Sequence, residues 1–175
     1  FVGDAGQQVY RYPFSWASIG VDVRGRARRL RINYRTSEQI RAFADGILPS
    51  RIEELGDVEE DRLARSLFTG PAPEVVACAT SADQQKALES WISDALARGV
   101  QGNEIAVLAR REAELESIAF PALASVGVAR IALTHPTCPE GSVYCGTMET
   151  AKGLEFRAVA IVGVDDGIIP LDSEI

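Results

Sequence analysis

The amino-acid sequence predicts an α/β fold, a parallel sheet with helices on both faces. Three observations point there. Strand-like and helix-like segments alternate along the chain. The strand-like segments at 75–79, 105–109 and 158–164 are mostly continuous apolar runs, as strands covered on both faces require. Two helix-like segments open on capping boxes, and two stop at a glycine.

Residues 1–4, Phe-Val-Gly-Asp, read as the end of a strand entering a Gly-containing turn, and the aromatics Tyr10, Tyr12, Phe14 and Trp16 follow. Residues 29–33 alternate charged and apolar side chains, with Leu30 and Ile32 on one face, a strand pattern. Thr36-x-x-Gln39 opens a helix through about Ile47, and Pro49 ends it. The acidic run 53–61 and the Gly-Pro-Ala-Pro at 70–73 form a polar connection with room for a short helix. An apolar strand is expected at 75–79. Ser81-x-x-Gln84 then opens a helix that buries Ala87, Leu88, Trp91, Ile92, Ala95 and Leu96, and Gly99 caps it. A strand at 105–109, a helix at 112–126 stopped by Gly127, and strands at 143–145 and 158–164 complete the series. In such sheets ligands sit at the carboxyl ends of the strands, so the loops after Asp4, Asn33, Ala109, Thr147 and Val164 are the ones to watch.

The chain has 175 residues, enough for one full core and a small appendage. No apolar run reaches the roughly 18 residues that cross a bilayer, and no signal peptide opens the chain, so no membrane partner is expected. Cys78, Cys138 and Cys145 lack Cys-x-x-Cys spacing, which fits a reducing cytoplasm better than a disulfide framework. With His135 they read as buried thiols and a loop histidine rather than as a zinc site, and no metal ligand is expected. The net charge of −7 argues against a general nucleic-acid binder. Arg24, Arg26, Arg28, Arg29, Arg31, Arg35 and Arg41 nevertheless crowd one segment. That strip either touches phosphate or simply faces water along a strand.

Three short motifs carry chemistry. In Val2-Gly3-Asp4-Ala5-Gly6-Gln7-Gln8-Val9-Tyr10 the glycines allow a tight turn, and Gln7 offers a donor and an acceptor. In Asn33-Tyr34-Arg35-Thr36, an aromatic and an arginine stand between a strand and a helix. There a guanidinium can fork onto phosphate oxygens and a ring can lie on a base. In Thr147-Met148-Glu149-Thr150-Ala151-Lys152-Gly153-Leu154-Glu155-Phe156, a cation, an open backbone and a carboxylate precede a strand. Each motif alone also reads as an ordinary turn.

Together and in this order they resemble motifs III, IV and V of the UvrD/Rep-type superfamily 1 DNA helicases. The resemblance extends to Val162-Gly163-Val164-Asp165-Asp166-Gly167 and covers nearly the whole chain, loosely at 50–73. It implies a RecA-like fold. It assigns residues 1–20 to the edge of a first motor domain and a hinge, and 21–175 to the second RecA-like domain. By this resemblance Gln7 senses the ATP γ-phosphate, Tyr34 stacks on adenine, and Arg35 reaches the γ-phosphate across the cleft. Glu155 holds the ribose and Gly153 opens the backbone to phosphate. Tyr10, Tyr12, Thr147 and Lys152 face DNA. Two positions depart from the family pattern: Pro13-Phe14-Ser15 replaces Arg-Gly-Ala, and Glu149 replaces histidine.

No Gly-x-x-x-x-Gly-Lys-Ser/Thr occurs, and no Asp-Glu pair stands where magnesium would be held. By the resemblance the chain opens inside motif III and stops before motif VI. The expected cofactors are ATP and Mg2+, with the magnesium ligands in an N-terminal half. The expected partners are single-stranded and duplex DNA and the first RecA-like domain of the same parent chain. The expected function is DNA translocation and unwinding in DNA repair, with no turnover by this fragment alone. The alternatives are a translocase within a nuclease-fused protein and a non-catalytic module that keeps the helicase fold.

Overall fold

A computed structural model describes residues 20–21, 32–47, 52–53, 59–60, 65–165 and 168. The chain forms two compact units, Phe1–Val75 and Val76–Ile175.

In the first unit, β1 (Ile32–Ser37) pairs in parallel with β4 (Arg65–Phe68), and α1 (Glu38–Ile47) follows β1 directly. The two-residue strands β2 (Ile52–Glu53) and β3 (Glu59–Glu60) pair antiparallel. The strand expected at 29–33 is thus observed from Ile32 onward, residues 29–31 lying outside the described set. The helix cap falls one residue later than expected. Ser37 Oγ accepts the Ile40 N–H at 3.3 Å, whereas Thr36 Oγ1 accepts from Asn33 Nδ2 at 2.8 Å. Gln39, expected to close the box, instead accepts the Gly70 N–H at 2.8 Å.

In the second unit the sheet is all parallel, in the order β6-β7-β5-β8. Its strands are β5 (Ile105–Ala109), β6 (Ala129–Ala132), β7 (Ser142–Thr147) and β8 (Ala158–Ile161). Helices flank it: α2 (Ser81–Ala97), then α3 (Glu112–Glu114), which continues through a π-helical turn (Leu115–Ala119) into α4 (Phe120–Ser125). This is the expected α/β architecture with a parallel sheet, consistent with a RecA-like fold. β5 is buried throughout because it is central and covered on both faces. Ile105, Val107 and Ala109 meet Leu88, Ile92 and Ala95 of α2 and Leu115, Ile118, Ala122 and Leu123. Ala106 and Leu108 point the other way, toward Leu133, Tyr144, Met148, Ala151 and Phe156.

Capping sets the helix ends. Thr80, not Ser81, caps α2. Its Oγ1 accepts the Asp83 N–H at 3.2 Å and donates to Asp83 Oδ2 at 2.7 Å. At the other end Gly99 takes φ +81°, with Gly99 N–H donating to Leu96 O and Val100 N–H to Ala95 O. Gly127 repeats this arrangement after α4. Leu96, expected in the core, is exposed in the last turn of α2. The π turn accommodates Pro121, which has no N–H to offer the Ser117 carbonyl. Gln85 Nε2 of α2 donates to that carbonyl at 2.7 Å instead.

Three expectations need correction, and one strand was missed. Residues 75–79 form no strand, and Val75 and Val76 are exposed. An apolar run needs a ladder partner before its backbone groups are satisfied as a strand. No short helix appears among the described residues of 53–73, where β3 and β4 stand instead. The expected strand at 158–164 ends at Ile161, and β6 was not foreseen.

Cys145 lies in the core, and burial pushes its thiol up to about 12. Native-state alkylation at pH 8 is therefore expected to modify Cys78 and leave Cys145 intact, while denaturant exposes it. Mass spectrometry of the alkylated peptides checks this, and rapid Cys145 labelling in buffer would contradict the buried placement.

Candidate functional site

Tyr34 and Arg35 sit on a bulge of β1. Asn33 pairs with Ser66 and Ser37 with Phe68, so β1 spends four steps where β4 spends two. The Asn33 side chain fills in for the lost ladder: Oδ1 accepts the N–H of Arg35 at 2.7 Å and of Thr36 at 3.2 Å. Bulges re-aim side chains, and here both land outward, with Tyr34 66% exposed. Arg41 is not part of a solvent-facing basic strip. Its guanidinium lies 2.6 Å from both Glu38 and Asp45. That guanidinium, and then the Ser66 N–H, holds the Glu38 carboxyl below its usual range. Arg24, Arg26, Arg28, Arg29 and Arg31 lie outside the described residues, as do Gln7, Tyr10 and Tyr12.

Thr147 ends β7, and Lys152, Gly153 and Glu155 share the loop that follows. The Met148 N–H still donates to Ala109 O, so β7 runs to its end beside β5. A helical turn follows, with Ala151 N–H on Thr147 O at 3.1 Å and Leu154 N–H on Ala151 O at 3.0 Å. Thr150 Oγ1 donates to Thr147 O at 2.8 Å. Met148, Ala151 and Phe156 anchor the turn on the sheet, Phe156 tilting against Tyr144 at 5.6 Å between ring centroids. The polar residues are left facing outward: Glu149, Lys152 and Glu155 are exposed. Gly153, at φ +89°, has no atom within 4 Å of where a Cβ would stand. Only glycine adopts that backbone readily, and it leaves the amide approachable.

The connections leaving β5 and β7 go to opposite faces of the sheet, the first into α3 and the second into the 148–156 loop. Adjacent parallel strands that part this way open a crevice at their carboxyl ends, where α/β folds bind ligands. Arg110 and Arg111 stand on one side of it and Thr147 to Thr150 on the other.

Sequence reasoning missed a polar corner beside that crevice. Glu114 is buried, and its carboxylate accepts from Arg111 Nη2 at 2.6 Å, Arg111 Nε at 3.0 Å and the Arg111 N–H at 3.1 Å. Gly163 packs on the Glu114 side chain, and Gln84 Oε1 accepts the Gly163 N–H at 3.1 Å. Arg111-x-x-Glu114 is a cap with glutamate at its third position, but an arginine in place of serine or threonine hides the signal. The Arg111 guanidinium holds the Glu114 carboxyl below its usual 4.5 and outweighs burial. A carboxyl with a depressed folded pKa stabilises the native state above its unfolded value, and that contribution is lost as pH falls through the folded value. Urea melts of the wild type and Glu114→Gln should therefore differ most near pH 7 and converge toward pH 3. A gap that persists at pH 3 would remove the charge from the account.

Among the described residues no group of three or more His, Cys, Asp or Glu is placed to hold a metal, and no helix is long and apolar enough to cross a membrane. Comparisons with family models, curated proteins and solved structures return no match.

Proposed function

We propose that this chain is the second RecA-like motor domain of a superfamily 1 DNA helicase of the UvrD/Rep type. The observation that carries the reading is the 147–156 loop. It displays Lys152, Gly153 and Glu155 outward on the connection that leaves the carboxyl end of β7 in a parallel sheet. In the first unit Tyr34 offers an exposed ring that suits a base and Arg35 a cation that suits a phosphate. In the second unit Glu155 offers a carboxylate that suits a ribose and Gly153 an open amide. Their assignment to one nucleotide rests on the sequence resemblance. When bound, ATP with Mg2+ supplies the phosphoanhydride whose hydrolysis drives the motor. The chain's own residues bind and orient it. Single-stranded DNA is the proposed partner at Thr147 and Lys152, with Tyr10 and Tyr12 assigned by sequence alone. The first RecA-like domain of the same parent supplies the phosphate loop and the magnesium ligands.

The test is ATP hydrolysis by the full-length gene product with and without single-stranded DNA. Turnover stimulated by DNA is expected, and none from the 175-residue chain alone, because the phosphate loop is absent from it. A folded full-length protein without turnover would move the function to the second reading, a non-catalytic module with the helicase fold. Glu149 favours that reading, since an exposed carboxylate repels a DNA backbone.

A further inference from the structure

The bulge that carries Tyr34 and Arg35 interrupts the ladder between β1 and β4, and side chains take over its backbone donors. Asn33 Oδ1 accepts the Arg35 N–H at 2.7 Å and the Thr36 N–H at 3.2 Å. Two donors converge on that atom, so it is the oxygen, and Asn33 Nδ2 turns to Thr36 Oγ1 at 2.8 Å. On the opposing strand the Ser66 N–H donates to Glu38 Oε2 at 3.1 Å, while Arg41 Nη2 holds Glu38 Oε1 at 2.6 Å. Backbone donors that leave a ladder need other partners. Three such amides around one bulge, each held by a side chain, mark a built kink rather than a frayed strand end.

Asn33 has a place in this that no neighbour can fill. It is the last residue in register before the bulge, opposite Ser66, and register resumes at Ser37 opposite Phe68. Its side chain therefore bridges the shifted stretch and grips the amide of Arg35 itself. The direction in which the exposed Arg35 side chain leaves the strand depends on that grip. An asparagine or aspartate oxygen has the reach for an amide two residues on, and alanine has no acceptor at all.

We propose that Asn33 is a positioning residue for Arg35: its side chain fixes the backbone from which the guanidinium reaches a phosphate. The consequence for turnover rests on the reading of Arg35 under Proposed function, whereas the clasp itself does not.

Residue-resolved hydrogen exchange on the 175-residue chain tests the clasp without any ligand. In the wild type the Arg35 and Thr36 amides should exchange at least roughly tenfold more slowly than their intrinsic rates. Asn33→Ala should remove that protection, and Asn33→Asp, which keeps the acceptor, should retain it. Free exchange at both amides in the wild type overturns the proposal, and so does protection that survives in Asn33→Ala. ATP turnover by the full-length protein tests the consequence. Asn33→Ala should lower kcat by roughly tenfold to a hundredfold, the scale of an about 1 Å misplacement, with KM little changed. Asn33→Asp should recover most of the loss. In an Arg35→Ala background the same Asn33→Ala change should cost less than about threefold more, because the group it aims is gone. A full additive loss there marks a merely structural role and overturns the proposal. A wild type with protected amides and no turnover overturns the helicase reading and the role in turnover with it, whereas loss of the clasp overturns the proposal alone.

Discussion

Arg35→Ala in the full-length protein is expected to lower DNA-stimulated ATP turnover by about 10³-fold, the scale on which arginines that meet the transferring phosphoryl group act. The argument runs from the strand upward. The bulge at Asn33–Ser37 turns Tyr34 and Arg35 outward, and Asn33 Oδ1 holds the Arg35 N–H at 2.7 Å. Alanine keeps that backbone bond, so the bulge survives and only the guanidinium is lost. An interaction made with charge that spreads during phosphoryl transfer lowers kcat and leaves KM nearly unchanged. Tyr34→Ala should do the reverse and raise KM, because a stacked base contributes equally to ground and transition states. Steady-state kinetics of both variants, with circular dichroism as a check on folding, decide the matter. A change in kcat below about threefold for Arg35→Ala would remove Arg35 from the site.

Gly163→Ala is expected to destabilise the chain by about 2–4 kcal/mol, the sum of a left-handed backbone penalty and overpacking. Gly163 has φ +67°, and a Cβ there would stand 2.5 Å from Glu114 Cγ and 2.9 Å from Glu114 Cβ. The Glu114 side chain cannot swing aside cheaply, because Arg111 holds its carboxylate through three hydrogen bonds. Glu114→Ala removes the Cγ contact and leaves the Cβ one, so the double variant should recover part of the cost, roughly 1 kcal/mol relative to additivity, a coupling typical of residues in contact. Urea denaturation of the four proteins measures the cycle. Strict additivity would place the cost of Gly163→Ala in its backbone alone.

Local chemistry was legible in the sequence wherever one residue decides an outcome. Gly99 and Gly127 end helices because a positive φ excludes most side chains, and both do so in the structure. The apolar run 105–109 became the central strand to the residue, since a continuous apolar segment must be covered on both faces. The caps were less legible. Ser37 and Thr80 cap α1 and α2, each one position away from the expected residue, because neighbouring hydroxyls compete for the same amides. Of the candidate site, the 147–156 loop was legible as a polar turn between two strands, and its exposure came from the structure. The corner of Gln84, Arg111, Glu114 and Gly163 was not.

The sequence by itself determined the fold class, the apolar strand at 105–109 and the helix stops at Gly99 and Gly127. Each of these follows from burial periodicity or from the backbone preference of one residue type. Only the tertiary structure decided the order β6-β7-β5-β8, and with it which carboxyl ends adjoin. It also decided that β6 exists and that residues 75–79 stand outside the ladders. Strand pairing joins residues far apart in the chain, such as Ala106 with Tyr144 and with Val159. The polar bridge from Gln84 to Gly163 spans 79 residues. No local pattern encodes such partners, because a hydrogen bond of that span is chosen by where packing brings two segments together.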